Sequence, residues 1–248
     1  VMAQIKKQLG RNHGVRHALT LEQQRAFINY IESNPTYYRW TSLFKFLLGT
    51  GCRIGEAIGI RWEDVNFEKR VISINHSLVY YSREFKEHPM CTFSISLPKT
   101  EAGIRCIPMM DAVYDALRAE LAAQQENGFN ETEIDGMKGF IFMNRFGYVH
   151  NPQSINRAIK RIYESYNAEE VVNASKQHRE PVLIPHFSCH HLRHTFCSRF
   201  CENETNLKVI QSIMGHANIE TTMDIYAEVT DAKKQEAIEN LAHKLDVF

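Results

Sequence analysis

His190-His191-Leu192-Arg193-His194-Thr195-Phe196, followed by Met214-Gly215-His216 and Thr221-Thr222-Met223-Asp224-Ile225-Tyr226, is the stretch around which the chain is organised. His190 and Arg193 are three residues apart, so one face of a helix presents both. Arginine carries a rigid fork of donors suited to phosphate oxygens, and histidine exchanges a proton near neutral pH. His216 and Tyr226 follow within one helix-loop-helix unit. Such a set suits chemistry on a phosphodiester, with Tyr226 as the nucleophile. A phenol is almost wholly protonated at neutral pH, so it needs a base, and His190 is the candidate.

The flanking residues place this set on helices. Ser188 is a candidate N-cap, and Leu192, Phe196 and Phe200 form an apolar spine. Leu207, Ile210 and Ile213 anchor a second helix that stops at Gly215. Asn218 opens a last short segment carrying Tyr226. From Asp231 onward, Ala237, Ile238, Leu241 and Leu245 pattern a terminal amphipathic helix whose apolar face needs a partner.

Upstream, Thr20 and Gln23 form a capping-box pattern before a helix through Phe27, Ile28 and Ile31, ended by Pro35. Tyr37 to Leu48 reads as another helix, stopped at Gly49-Thr50-Gly51. Arg53 opens the next one. A cation at a helix N-terminus opposes the dipole unless an anion is shared there. Glu56, one turn on, is placed to hold Arg53 or a catalytic histidine. Residues 70–81, Cys91 to Leu97 and Ile104 to Pro108 read as three strands. Lys99 sits in the turn between the last two, where a long ammonium can reach a docked substrate and protonate a leaving oxygen. Asp111 to Gln125 is a helix, 126–138 a polar, mobile excursion, and 139–143 a short apolar run. Asn151-Pro152 opens a helix with Ile155, Ile159 and Ile162 inward and Arg157, Lys160 and Arg161 left for phosphates. A second polar excursion is expected over 167–180. The fold class is therefore mainly α with a small three-stranded antiparallel β-sheet.

The 248 residues are 44% hydrophobic and 23% charged, which suits one larger globular domain or two small ones. Lys plus Arg and Asp plus Glu both number 29, so no net charge advertises a nucleic-acid partner. The charge is nevertheless sorted, with bases alone among the charged residues of 151–163 and acids alone over 126–135. No apolar run approaches 18 residues, which excludes a helical membrane span, and no signal-peptide pattern opens the chain. Six cysteines, of which only Cys197 and Cys201 are close in sequence, read as buried or free thiols in a reducing compartment. His190 and His194 are four apart with His186 nearby, but the His-Glu-x-x-His form of a zinc site is missing. No metal or other cofactor is expected, because two arginines, Arg53 and Arg193, can carry the charge work.

These residues also carry a resemblance. The chain is similar to the catalytic domain of tyrosine recombinases of the phage-integrase type, most of all to integrases of conjugative transposons. Thr50-Gly51-Cys52-Arg53-Ile54-Gly55-Glu56 matches the family's first arginine box, and Lys99 in Pro98-Lys99-Thr100-Glu101-Ala102-Gly103-Ile104-Arg105 its hairpin lysine. His190 and Arg193 match its His-x-x-Arg pair, Met214-Gly215-His216 its Leu-Gly-His signature, and Thr221 to Tyr226 its nucleophile box. The similarity spans roughly residues 16 to 230.

The resemblance implies a tyrosine recombinase catalytic-domain fold and a site-specific DNA recombinase serving excision and integration of a mobile element. It implies a 3′-phosphotyrosyl intermediate on Tyr226, with Arg53, Lys99, His190, Arg193 and His216 completing the active site and Glu56 supporting it. Implied partners are double-stranded DNA, further copies of the chain as a tetramer on two duplexes, and an excisionase or DNA-bending accessory protein. The location implied is the bacterial cytoplasm, on DNA. Residues 1–15 then read as a linker from a core-binding domain, 16–230 as the catalytic domain, and 231–248 as a helix docking on a neighbouring subunit. A type IB topoisomerase and a DNA-binding regulator without chemistry are the alternatives.

Overall fold

The computed structural model describes residues 18–83, 90–98 and 100–245. Helix α1 (Leu21–Ser33) starts at the capping box read from the sequence: Thr20 Oγ1 accepts from Gln23 N and Gln23 Oε1 from Thr20 N. Its buried face is Phe27, Tyr30 and Ile31, whereas Leu21 is exposed. A 3₁₀ turn (Tyr38–Trp40) leads into α2 (Thr41–Thr50), which ends on Gly51 in the left-handed conformation. After α3 (Ile54–Gly59) the chain enters β structure.

The sheet content is partitioned differently from the sequence reading. A three-stranded antiparallel sheet has the order β1 (Val65–Asn66), β2 (Val71–Ile74), β5 (Arg105–Pro108). A separate antiparallel hairpin pairs β3 (Ser77–Arg83) with β4 (Met90–Ser96). The expected single strand over 70–81 is therefore two strands in two sheets. The break falls at Asn75-His76, whose side chains turn to other elements: Asn75 donates to Asp64 Oδ1 at 3.1 Å, and His76 Nε2 bonds Gly59 O at 2.7 Å. Pairing of Ile74 with Arg105 and Ile72 with Ile107 puts Arg105 and Ile107 on the buried face of β5.

Helix α4 (Asp111–Asn127) packs on α2 through Val113 and Leu117. The polar stretch after it is anchored by buried Asn130 and by backbone pairing of Ile134 with Met137. Helix α5 (Pro152–Lys176) starts at the expected Asn151 cap and Pro152 but runs well beyond the expected end. Tertiary bonds hold its second half. Asn167 bonds both polar backbone atoms of Ile184, and Glu170 forms a two-pronged ion pair with Arg179. Helices α6 (Cys189–Asn203), α7 (Leu207–Met214) and α8 (Glu220–Leu245) complete the chain. Helix α8 is unbroken where the sequence suggested a short segment and a separate terminal helix.

The main core gathers Phe27, Phe44, Phe46, Ile58, Ile107, Leu117, Phe140, Ile159 and Leu192, all essentially inaccessible. A second cluster of Cys197, Cys201, Ile210 and Met214 joins α6 to α7, with Phe196, Phe200 and Tyr226 packed against it. The buried stripe of α6 is thus small and polar rather than the expected Phe196 and Phe200: it comprises Arg193, Thr195, Cys197, Ser198 and Cys201 below Leu192. Among the described residues no helix is long and apolar enough to cross a membrane.

Candidate active site

Four of the predicted residues meet at one cavity. Arg53 at the start of α3, His190 and Arg193 on α6, and His216 after α7 line a space of about 750 Å³. Helix α8 closes another side with Thr221, Asp224, Ile225 and Glu228. Tyr226 is not among the lining residues; half-buried, it packs on the second cluster. With about 100° between successive helical residues, Ile225 faces the cavity while its neighbour Tyr226 is turned aside. Lys99 lies outside the described residues.

The arginines are held by main-chain oxygens at one helix end. The last three residues of the α7 terminus each accept from a different arginine: Ile213 O from Arg105 Nε at 2.8 Å, Met214 O from Arg193 Nη2 at 2.6 Å, and Gly215 O from Arg53 Nη2 at 2.9 Å. These are carbonyls the helix leaves without an internal partner, at the negative end of its dipole. Arg193 Nη1 adds a bond of 2.6 Å to Gly51 O, the cap of α2. Gly215 and Gly51 both have φ of 62°, and each is closely approached. A Cβ on Gly51 would lie 2.3 Å from the Phe196 ring, and one on Gly215 would lie 2.9 Å from Arg105 Nη1. Only glycine fits either cap without strain.

Beneath the cavity, buried Glu56 joins two of these arginines. Its carboxylate receives Arg105 through both Nη atoms (3.1 and 2.8 Å) and Arg53 through Nη1 and the backbone N–H, both at 2.8 Å. Burial alone would raise the Glu56 carboxyl, but the bonds from Arg105, and then Arg53, outweigh it and hold it below the usual range. Of the two roles open to Glu56 in the sequence, positioning Arg53 is the one these bonds serve. Arg105 stands in the hairpin motif, yet nothing in the sequence singles it out. An arginine in a strand looks like a solvated residue until the register puts it inside.

Arg193 is 6% exposed and bonded to carbonyls alone. Burial, then the neighbouring Arg53, pushes its guanidinium down to about 10, so it stays charged at neutral pH. A desolvated cation without a carboxylate bonded to it is costly, and an anion in the cavity would relieve it. His216 is buried, with Nδ1 2.9 Å from Thr222 Oγ1, which leaves Nε2 for a substrate. Burial, then Arg193 and Arg53, push its imidazole down to about 4, so it is neutral at pH 7 and serves as a hydrogen-bonding group. His194 Nε2 lies 3.7 Å from Glu228 Oε2 on α8. Among the described residues no group of three or more His, Cys, Asp or Glu is gathered to hold a metal ion. Of the candidate phosphate contacts on α5, Lys160 is paired with Glu164 at 3.6 Å, whereas Arg157 and Arg161 open onto another cavity.

A helical domain with this small sheet, and arginines from three separate segments converging with two histidines, defines a class. The chain belongs to the phage integrase family, whose model matches residues 17–233. It is 33% identical over 227 residues to the transposase from transposon Tn916 of Enterococcus faecalis, covering 92% of this chain and 51% of that one. It is 26% identical to a XerC-like tyrosine recombinase of Caldanaerobacter subterraneus subsp. tengcongensis, covering 82% and 49%. The chain thus spans about half the length of these curated relatives. Its fold matches the Tn1549 transposon integrase, solved in complex with transposon right end DNA, with a TM-score of 0.75, 31% identity and coverage of 96% and 70%.

Proposed function

We propose that this chain is the catalytic part of a site-specific DNA recombinase that breaks and rejoins DNA through Tyr226. The observation that carries the reading is the meeting of Arg53, His190, Arg193 and His216, from three separated segments, at one cavity bordered by the tyrosine-bearing helix. Family membership and the DNA complex of the Tn1549 integrase support it.

In this scheme a scissile phosphate enters the cavity and its non-bridging oxygens take hydrogen bonds from Arg53 and Arg193. Negative charge builds on the non-bridging oxygens as the fifth bond to phosphorus forms, and fixed cations there lower the barrier. His216 donates to the same oxygens. Tyr226 Oη attacks phosphorus, passing its proton to His190, and the bond to the DNA 5′-oxygen breaks. Lys99 protonates that oxygen, yielding a 3′-phosphotyrosine and a 5′-hydroxyl. A 5′-hydroxyl from a second duplex reverses the attack and exchanges the strand without ATP, because the ester keeps the bond energy. Delivery of the phenol requires α8 to turn or shift, since Tyr226 stands beside the cavity wall. The expected working form is a tetramer on two duplexes, with an excisionase or DNA-bending protein setting direction.

Incubating wild type and Tyr226→Phe with a nicked suicide duplex tests the reading. A covalent adduct is expected in the wild type and none in the variant. An adduct of equal yield in Tyr226→Phe, or one mapped to another side chain, overturns it.

A further inference from the structure

A group of sulfur atoms lies against the catalytic cavity. Cys197, Cys201 and Met214 make up the second cluster together with Ile210, each at most 5% exposed. Cys197 and Cys201 are one turn apart on α6, so both thiols leave the helix from one face. A hydrogen bond joins the two side chains. Met214, the last residue of α7, reaches the same cluster from the helix packed against α6. Phe196, Phe200, Leu207 and Ile225 surround it, which makes the shell apolar. The phosphoryl-transfer scheme uses neither thiol. Leucine and alanine would fill such a space equally well, whereas two thiols meeting a thioether bring a ligand chemistry that hydrocarbon lacks.

Thiolates and thioethers are soft ligands, and they select copper(I). Zinc asks for a tetrahedron of four nitrogen, sulfur or oxygen ligands. Among the described residues no group of three or more His, Cys, Asp or Glu is gathered to supply one. Copper(I), with a filled d shell and a single charge, is satisfied by two or three sulfurs. We propose that Cys197, Cys201 and Met214 form a binding site for one copper(I) ion, held between the two thiolates of α6 and the thioether at the end of α7. Both thiols give up their protons on binding, so one Cu⁺ and two S–H groups yield an anionic dithiolate complex and two free protons. The surroundings favour that negative charge. Arg193 stands one turn before Cys197 on α6, buried and bonded to carbonyls alone, so an anion beside it is stabilised. The ion also has a way in, because Cys197 and Met214 both line the catalytic cavity. Such a site needs the three sulfurs and not the chemistry of Tyr226, so it stands or falls apart from the DNA reading.

The test is an anaerobic titration of the reduced chain with copper(I) bicinchoninate, followed by X-ray absorption of the loaded protein. Wild type should strip one equivalent of copper from the chelator and show three sulfur neighbours around the ion. Cys197→Ala/Cys201→Ala should lose that equivalent. Cys106→Ser, which alters an exposed thiol on β5, should keep it. Met214→Leu preserves both the apolar bulk and the main-chain oxygen that grips Arg193, so it should fold as wild type does. It should hold copper through two sulfurs and about tenfold more weakly. A wild-type chain that takes no copper from the chelator overturns the site. So does an equivalent that disappears with Cys106, or a sulfur count unchanged in Met214→Leu. Should the double-alanine chain fail to fold, the sulfur count in Met214→Leu decides the matter alone.

Discussion

Replacing Arg105 by methionine tests whether the buried carboxylate beneath the site is held as described. The change removes both guanidinium bonds to Glu56 and the bond to Ile213 O. It leaves Glu56, 7% exposed, with Arg53 as its remaining partner in that network. Breaking one side of a buried ion pair costs about 3–5 kcal/mol. For a chain of this size each kcal/mol moves the melting temperature by about 2–4 °C, so a fall of roughly 6–20 °C is expected. The pH dependence gives a sharper check. In the wild type the Glu56 carboxyl is depressed in the folded state. Its contribution is present above the unfolded value of about 4.3 and is lost as pH falls through the lower folded value. Without Arg105, burial dominates and lifts the folded value above the unfolded one. Folding then favours the protonated acid, so the gap between variant and wild type narrows as pH drops from 7 toward 5. Circular-dichroism melts at several pH values measure both effects. Glu56→Gln/Arg105→Met should recover part of the loss, since no unpaired charge is then buried. A drop below 2 °C at pH 7, or a gap independent of pH, would refute the argument.

Gly51→Ala combines a positive φ with a collision on the Phe196 ring. Left-handed backbone costs about 1–2 kcal/mol and overpacking about 1–3, so a loss of roughly 2–5 kcal/mol is expected from urea midpoints. His150, which lies 4.8 Å from Trp40 between ring centres, is pushed down to about 4 by burial, as is His216. The unfolded chain takes up these protons below about 6.5 and the folded one does not until about 4, so stability falls with pH across that window. His150→Gln should flatten this acid limb by about 2 kcal/mol, read from denaturant titrations at pH 4.5 and 7. Glu228→Gln takes a negative charge from the cavity wall. It should raise the affinity of the cavity for inorganic phosphate several-fold by calorimetry, and an unchanged value would show that Glu228 does not oppose the anion.

What the sequence disclosed followed the range of the signals. The Thr20–Gln23 box, the Asn151-Pro152 start and the stop at Gly215 are written within four residues of where they act, and all three stand in the structure. The second half of α5 reads as polar loop because Glu170 and Asn167 look solvated until Arg179 and Ile184 fold back on them. The break at Asn75-His76 depends on Asp64 and Gly59, neighbours no periodicity shows. His190, Arg193 and His216 stand out by residue type and close spacing, and Arg53 through the resemblance of its motif. The face of α8 that carries Tyr226, and the burial of Arg105, depend on how finished elements pack. Neither a helical angle relative to its neighbours nor a strand register is a local property.

The end of α7 grips its three arginines through oxygens every amino acid possesses. Side chains at 213 and 214 are therefore free to drift among apolar types, and methionine in place of the family's leucine at 214 leaves the grip intact. Length has no such freedom. One residue inserted or deleted before Gly215 would hand each arginine the oxygen meant for its neighbour, scrambling the whole constellation at once.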